Sequence, residues 1–329
     1  MKKNLGFAVT VLAVVLAMSG LDFGQQSAAP VTKTAPATQA AAPNPNEIKV
    51  QVNLVNVLFT VMDKKKHLVQ DLNQKDFRVY EDKKPQVITH FSRESNLPLR
   101  MGILIDTSNS IRERLQFEQD AAIDFLNSTL RPDEDKAFIV GFDVEPQLLA
   151  DYTDDMEKLT NAIRSLQAGG GTGLFDALYY ACKQKMVMNP PPEPYIRRVL
   201  ILVSDGLDNN SEHSRDEALA MAQRAEATIF AISTNRSGIT ERGDRILEYF
   251  AAQTGGRAFF PFEASDLARN FQDISNELRS QYSLAYISTN QAHDGTFRAI
   301  SIVPVEKGLH VRAKSGYFAP TLPGAAPSK

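Results

Sequence analysis

Three short segments hold the residues that could do chemistry. Asp106-Thr107-Ser108-Asn109-Ser110 closes the apolar run Met101–Ile105. Gly169-Gly170-Gly171-Thr172-Gly173 is a glycine-rich loop that feeds a helical pattern starting at Leu174. Ser204-Asp205-Gly206 ends a second apolar run, Val199–Val203. Two carboxylates and three hydroxyls (Asp106, Asp205, Ser108, Ser110 and Thr172) are hard oxygen donors with no nitrogen or sulfur among them. Such a set suits Mg²⁺, Mn²⁺ or Ca²⁺ over zinc or copper. With neutral hydroxyls in direct contact and carboxylates acting partly through water, the ion stays under-neutralised. It can then take one more oxygen from outside, ideally an anionic one.

Competing chemistries find less support. One cysteine, Cys182, forbids an intramolecular disulfide or a CxxC site. Five histidines, His67, His90, His213, His293 and His310, show no HxxH or HExxH spacing, which argues against zinc enzymes. The glycine loop lacks the lysine of a GxxxxGK[ST] phosphate loop and does not follow the first strand as GxGxxG should. A Mg²⁺-dependent phosphoryl-transfer enzyme with Asp106 as nucleophile is an alternative. Against it, Ser108 stands where a second Asp would act as acid, and no His or Lys completes a catalytic set. A purely structural metal tying three loops into an assembly scaffold is the other alternative. Lys plus Arg is 36 and Asp plus Glu 39, so the chain has no general electrostatic affinity for nucleic acid or an anionic membrane.

The elements that must position these residues lie between about 97 and 281. Apolar runs Met101–Ile105, Ala137–Phe142, Val199–Val203 and Thr228–Ile232 read as strands. Between them Ile111, Leu115, Ala122, Phe125 and Leu126, then Leu174, Leu178, Ala181 and Cys182, then Leu267, Phe271, Ile274 and Leu278 follow the helical period. Strands alternating with helices predict a parallel sheet covered on both faces, with the candidate loops at strand ends where ligands bind. Cys182 falls on an apolar helix face and is expected to be an inert buried thiol. The flanks differ: 48–91 and 282–318 read as strands and turns. Neither flank has enough strands to stand alone, so together they are expected to build one small β-sandwich around the inserted middle. Phe77, Val79, Val87 and Ile88 are expected to face Leu284, Tyr286, Ile300 and Ile302.

Asp106-x-Ser108-x-Ser110, Thr172 and Asp205, in this order, resemble the metal-ion-dependent adhesion site (MIDAS) of von Willebrand factor A (VWA) domains. The flanks Asp76–Asp82, Gln86–Ile88, Gly170–Leu178, Thr254–Arg257 and Gly316–Phe318 are similar to a bacterial VWFA-related family described from acidobacteria. Two departures stand out: Lys83 where the first hairpin usually has glycine, and Ser204 where Thr is frequent. The resemblance implies an α/β fold with a doubly wound, mostly parallel Rossmann-like sheet, in which the strands ending at Asp106 and Asp205 are neighbours. It implies Ser108 and Ser110 as direct metal ligands, Thr172 direct or through water, and Asp106 and Asp205 mainly through water. A protein partner's carboxylate then fills the open position, with Asn109, Gly171, Gly173, Gly206 and Asp208 on the loops that meet it. Mg²⁺ is the expected cofactor, with Mn²⁺ or Ca²⁺ compatible, and the chain is expected to bind rather than catalyse.

The amino terminus reads as a secretory signal: Lys2 and Lys3, an apolar run from Leu5 to Met18, then Ser19. That predicts export to the periplasm, cell surface or medium, with no membrane span in the mature chain; an uncleaved anchor is the alternative reading of the same run. The expected division is 1–20 signal, 21–46 Ala/Pro/Thr linker, 47–95 and 283–319 sandwich halves, 96–282 VWA domain and 320–329 disordered tail. Arg242-Gly243-Asp244 spells an integrin-recognition tripeptide, but its place at a helix start favours a capping role. Asp208-Asn209-Asn210 is expected to make a turn, Lys64-Lys65-Lys66 a solvated loop, and Pro190–Pro194 a stiff connector.

Overall fold

A computed structural model describes residues 53–93, 97–188, 196–235, 237, 239–261 and 264–321. The signal, linker and Pro190–Pro194 segments, and the tail from 322, lie outside them. Among the described residues the chain forms fourteen strands and six α-helices. The first four strands are β1 (Leu54–Met62), β2 (Phe77–Glu81), β3 (Lys84–Gln86) and β4 (Ile88–Arg93). The middle runs β5 (Leu99–Asp106), α1 (Leu115–Thr129), β6 (Lys136–Phe142), β7 (Pro146–Thr153), α2 (Met156–Arg164) and α3 (Leu174–Tyr180). It continues with β8 (Arg197–Ser204), α4 (Arg215–Arg224), β9 (Thr228–Ser233), α5 (Arg242–Thr254), β10 (Ala258–Phe259) and α6 (Ala264–Leu278). The chain returns through β11 (Tyr282–Ile287), β12 (Phe297–Pro304), β13 (His310–Ala313) and β14 (Gly316–Phe318).

The middle forms a six-stranded sheet in the order β10-β9-β8-β5-β6-β7. Every pairing is parallel except that of the edge strand β7 with β6. All eight residues of β5 are buried, as a central parallel strand with helices on both faces requires. The period of two divides its side chains: Leu99, Met101, Ile103 and Ile105 face α1, α2 and α6, whereas Leu104 faces α3, α4 and α5. Order reverses beside β5. The chain goes out through β6 and β7, then resumes at β8 on the other side, with Ile105 opposite Val203. Asp106 and Asp205 therefore end or follow neighbouring strands at the switch point, where the diverging connections leave a crevice. The helical face expected through Cys182 holds for α3 and then widens into a π-helical turn, Ala181–Met188. Burial pushes the Cys182 thiol up to about 12, which leaves it protonated and inert.

The flanks pair with each other, in sheets β13-β1-β11-β4 and β14-β12-β2-β3. Their shared core includes Phe77, Val79, Leu284, Tyr286, Ile300 and Ile302, with Ile88 packed against it. Stacked and edge-on rings of Phe59, Phe77, Phe91 and Tyr282 fill its centre. Val87 departs from expectation. It is 78% exposed, because it joins β3 of one sheet to β4 of the other and Ile88 takes the inward position. The β2–β3 hairpin explains how it manages without glycine: Asp82 and Lys83 both adopt positive φ (48° and 66°), and Asp82 accepts the Ala299 amide at 2.9 Å. The middle leaves after β4 and re-enters at β11, where Arg93 lies opposite Tyr282. Beyond Ala319, Pro320 accepts the Gly295 amide and Thr321 bridges Asp294.

Candidate metal centre

The loop after β5 turns on the Asp106 carboxylate. Asp106 is fully buried; its Oδ1 accepts the Ser108 amide at 2.9 Å and its Oδ2 accepts the Ser204 hydroxyl at 2.7 Å. This arrangement turns the loop so that the Ser108 and Ser110 hydroxyls stand 2.9 Å apart. Ser110 then donates to Asp205 Oδ2 at 3.2 Å, while Asp205 Oδ1 accepts the Leu207 amide at 2.9 Å. Four of the five predicted ligands are thus joined by direct hydrogen bonds across two neighbouring strand ends.

Thr172 is brought in by its backbone. The Gly169 amide donates to Thr107 O at 2.7 Å, and Asn109 Nδ2 donates to Gly170 O at 3.2 Å, which fastens the glycine loop to the Asp106 loop. Asn209 fastens it to the Asp205 loop: its Oδ1 accepts the Thr172 amide and its own amide donates to Thr172 O, both at 3.0 Å. Gly173 donates to Asp143 O at 2.5 Å on the β6–β7 connection.

Two residues outside the predicted set matter here. Ser204 reaches Asp106 directly, so the departure from Thr falls on a residue that holds a candidate ligand; its Oγ also accepts the Gly206 amide at 3.0 Å. Asn209 is the second, and its place in an Asx-rich turn was the available signal. Asp208, on one of the loops expected to meet a partner, has its own side chain taken up locally: its Oδ1 accepts the Ser211 hydroxyl at 2.6 Å and the Phe175 amide at 3.3 Å. The reason is the start of α3, whose first amides need acceptors. Asp244 is likewise taken, being 3% exposed and bonded to Ser233, Asn235 and the Glu241 amide, so Arg242-Gly243-Asp244 is a helix cap and not a recognition tripeptide.

The electrostatics suit a cation. Burial pushes the Asp106 carboxyl up to about 6; its bonds from Ser108 and Ser204 oppose the shift and the nearby Asp205 charge adds to it. A buried carboxylate with neutral donors and a second carboxylate beside it is a site short of positive charge. A divalent ion would supply that charge, and the hydroxyl oxygens fit its preference. Among the described residues no group of three or more His, Cys, Asp or Glu side chains could hold a metal, so hydroxyls would have to contribute.

The domain carrying this site can be placed among known proteins. A sequence profile of the von Willebrand factor type A domain matches residues 101–207. The chain contains a von Willebrand factor type A domain. Human von Willebrand factor A domain-containing protein 3B is 28% identical over 163 residues, which are 48% of this chain and 11% of that protein. Among solved structures, a von Willebrand factor type A protein from Catenulispora acidiphila aligns over 84% of this chain and 76% of its own, with 12% identity and a TM-score of 0.48. Proximal thread matrix protein 1 of the mussel byssus, in a form with a zinc-occupied MIDAS motif, aligns over 61% of this chain and 50% of its own, with 17% identity and a TM-score of 0.48. No helix among the described residues is long and apolar enough to cross a membrane.

The candidate metal loop of the type A domain leans on α5. A Cβ added to Gly243 would sit 2.0 Å from the Asp205 carbonyl oxygen, and one added to Gly206 (φ 77°) would sit 2.2 Å from Gly243 O. Only glycines allow the two backbones to touch. Gly243→Ala is expected to cost about 1–3 kcal/mol, measured by urea denaturation, because backbone and not a flexible side chain must yield. It should also displace Asp205 and so weaken any cation-dependent stabilisation. A variant as stable as wild type would show that the contact bears no strain.

Proposed function

We propose that the chain is an exported, non-enzymatic binding protein that presents a divalent cation to an acidic residue of a protein partner. Ser108 and Ser110 hold the ion directly, Thr172 directly or through water, and Asp106 and Asp205 mainly through water, with Mg²⁺ the expected metal. The observation that carries this reading is the hydroxyl chain Ser108–Ser110–Asp205 closing around a fully buried Asp106. The ion, when bound, supplies an electrophilic position for one outside oxygen; the protein's own groups set how much charge it retains. Hydroxyls leave it nearly undiminished, which is what attracts a carboxylate. Asp106 is not presented to a substrate, since none of its surface is exposed, and that counts against a phosphoryl-accepting role. Export rests on the amino-terminal sequence pattern.

Two measurements test the reading. Mg²⁺ at a hundred times its Kd should stabilise the folded chain by about 2.7 kcal/mol, raising Tm by roughly 5–10 °C. Ser108→Ala with Ser110→Ala should remove that shift and leave the metal-free protein folded, because Ser110 is exposed and neither hydroxyl supports the core. A shift that survives in the double variant places the ligands elsewhere. Capture of partners from envelope or secreted extract, in Mg²⁺ and in EDTA, then separates presentation from a purely structural metal. Partner capture by wild type that persists in EDTA would reject metal-mediated binding.

A further inference from the structure

Beside the metal loops lies a cavity of about 520 Å³ between the starts of α4 and α5. Arg215, Arg242 and Arg245 line it, with Asp216 as the one acidic lining residue. Asp216 is taken up by Arg215 at 3.0 Å. Arg242 and Arg245 are exposed, and among the described residues neither has a carboxylate within ion-pair distance. The Arg215 guanidinium lies 4.6 Å from the centre of the Tyr249 ring, within cation–π distance. The cavity adjoins the metal site on two sides. Arg242 precedes Gly243, whose backbone touches Asp205. Phe175, which also lines the cavity, follows Thr172 by three residues and donates its amide to Asp208 and Ser211 of the Asp205 loop.

We propose that this cavity is a second acid-binding site, which takes another acidic side chain from the same partner segment whose carboxylate meets the metal. Guanidinium groups are the side chains best matched to carboxylates, and an aromatic wall suits the aliphatic stem of a glutamate. From Arg242 to Tyr249 is two turns of helix, about 10 Å. An extended peptide covers that distance in about three residues. The cavity therefore has room for about three extended residues of a short acidic segment. The inference rests on the metal reading of the neighbouring site.

The test uses a fluorescein-labelled oligoglutamate of about 15 residues as the probe and fluorescence polarisation as the readout. Wild type should bind it in Mg²⁺, and Arg242→Ala with Arg245→Ala should weaken binding roughly three- to thirtyfold, the sum expected for two exposed ion pairs. The same double variant should keep its Mg²⁺-dependent Tm shift, which certifies fold and metal site. Lys64→Ala with Lys65→Ala removes the same charge from an exposed loop and should leave binding within twofold. Three results overturn the proposal: no probe binding by wild type, unchanged binding by the arginine variant, or an equal loss in the lysine variant. If EDTA leaves probe affinity intact while the arginine variant loses it, the metal reading falls and the arginine site stands. If EDTA abolishes binding and the arginine variant behaves as wild type, the reverse holds.

Discussion

Asp106→Ala will show no Mg²⁺-dependent rise in Tm and no metal-dependent partner capture at any accessible Mg²⁺ concentration. The residue does two things at once: it contributes charge to the site, and through the Ser108 amide and the Ser204 hydroxyl it anchors the loop that carries two of the hydroxyl donors. Metal-free stability should change little, because losing a carboxylate whose burial is unfavourable offsets leaving the Ser108 and Ser204 donors without an acceptor. Asp205→Asn should behave differently. It keeps shape and removes one charge without disturbing the Ser108 anchor, so metal retention weakens while any ion still bound pulls harder on a partner's carboxylate. At limiting Mg²⁺ partner binding should fall; at saturating Mg²⁺ it should recover or exceed wild type. Titration calorimetry with Mg²⁺ checks both variants, and a normal metal isotherm for Asp106→Ala would remove this residue from the site.

The largest expected loss of stability lies away from the site. Asp135 is fully buried, accepts the Leu99 amide at 2.7 Å, and binds Arg131 through its amide and guanidinium at 2.9–3.0 Å. It thereby ties the start of β5 to the turn before β6. Asp135→Ala should cost about 2–5 kcal/mol, since it leaves the Leu99 and Arg131 amides without their acceptor in a buried place, while the part-exposed Arg131 guanidinium keeps Glu134 at 2.6 Å. Burial by itself would push the Asp135 carboxyl up, but the Arg131 guanidinium and the two amides outweigh it and hold the carboxyl below the usual carboxylate range. The stability it contributes is thus fully present above the unfolded carboxylate value of about 3.9 and is lost as pH falls below it. Urea midpoints of wild type and Asp135→Asn should keep a constant gap from neutral pH down to about 4 and converge only in stronger acid. A gap that closes between pH 7 and 5 would assign the effect to another group.

How much of this was legible in the chain depends on how local each signal is. The apolar runs of the central strands were read to within two residues, because a strand buried on both faces advertises itself as uninterrupted Val, Ile and Leu. β7 was missed: as an antiparallel edge strand it is half-exposed, and Pro146–Thr153 has no clean alternation. Val87 was assigned inward because it sits in an apolar cluster, whereas the crossing between two sheets decided its direction. Asp135 looked like an ordinary polar residue and Ser204 only like a departure from Thr, since what makes them matter is a partner 36 or 98 positions away.

The residues of the candidate site, their order and their chemistry were determined by the sequence alone, because a hydroxyl or carboxylate carries its donor character wherever it stands and strand-end loops announce themselves by pattern. The same holds for the alternation of strand and helix, and for the need of two short β flanks to find each other. The tertiary structure decided which groups meet. It placed Ser110 on Asp205, buried Asp106 against Ser204, set Asp208 against the start of α3, and gathered Arg242 and Arg245 beside the candidate metal loops. It also buried Arg298 and Glu81 among Tyr286, Ser288 and Tyr317 inside the sandwich. The physical reason is that pattern reports the period of burial along one element, whereas hydrogen-bond partners and desolvation are set by what other elements bring to the same point, often a hundred or more residues away.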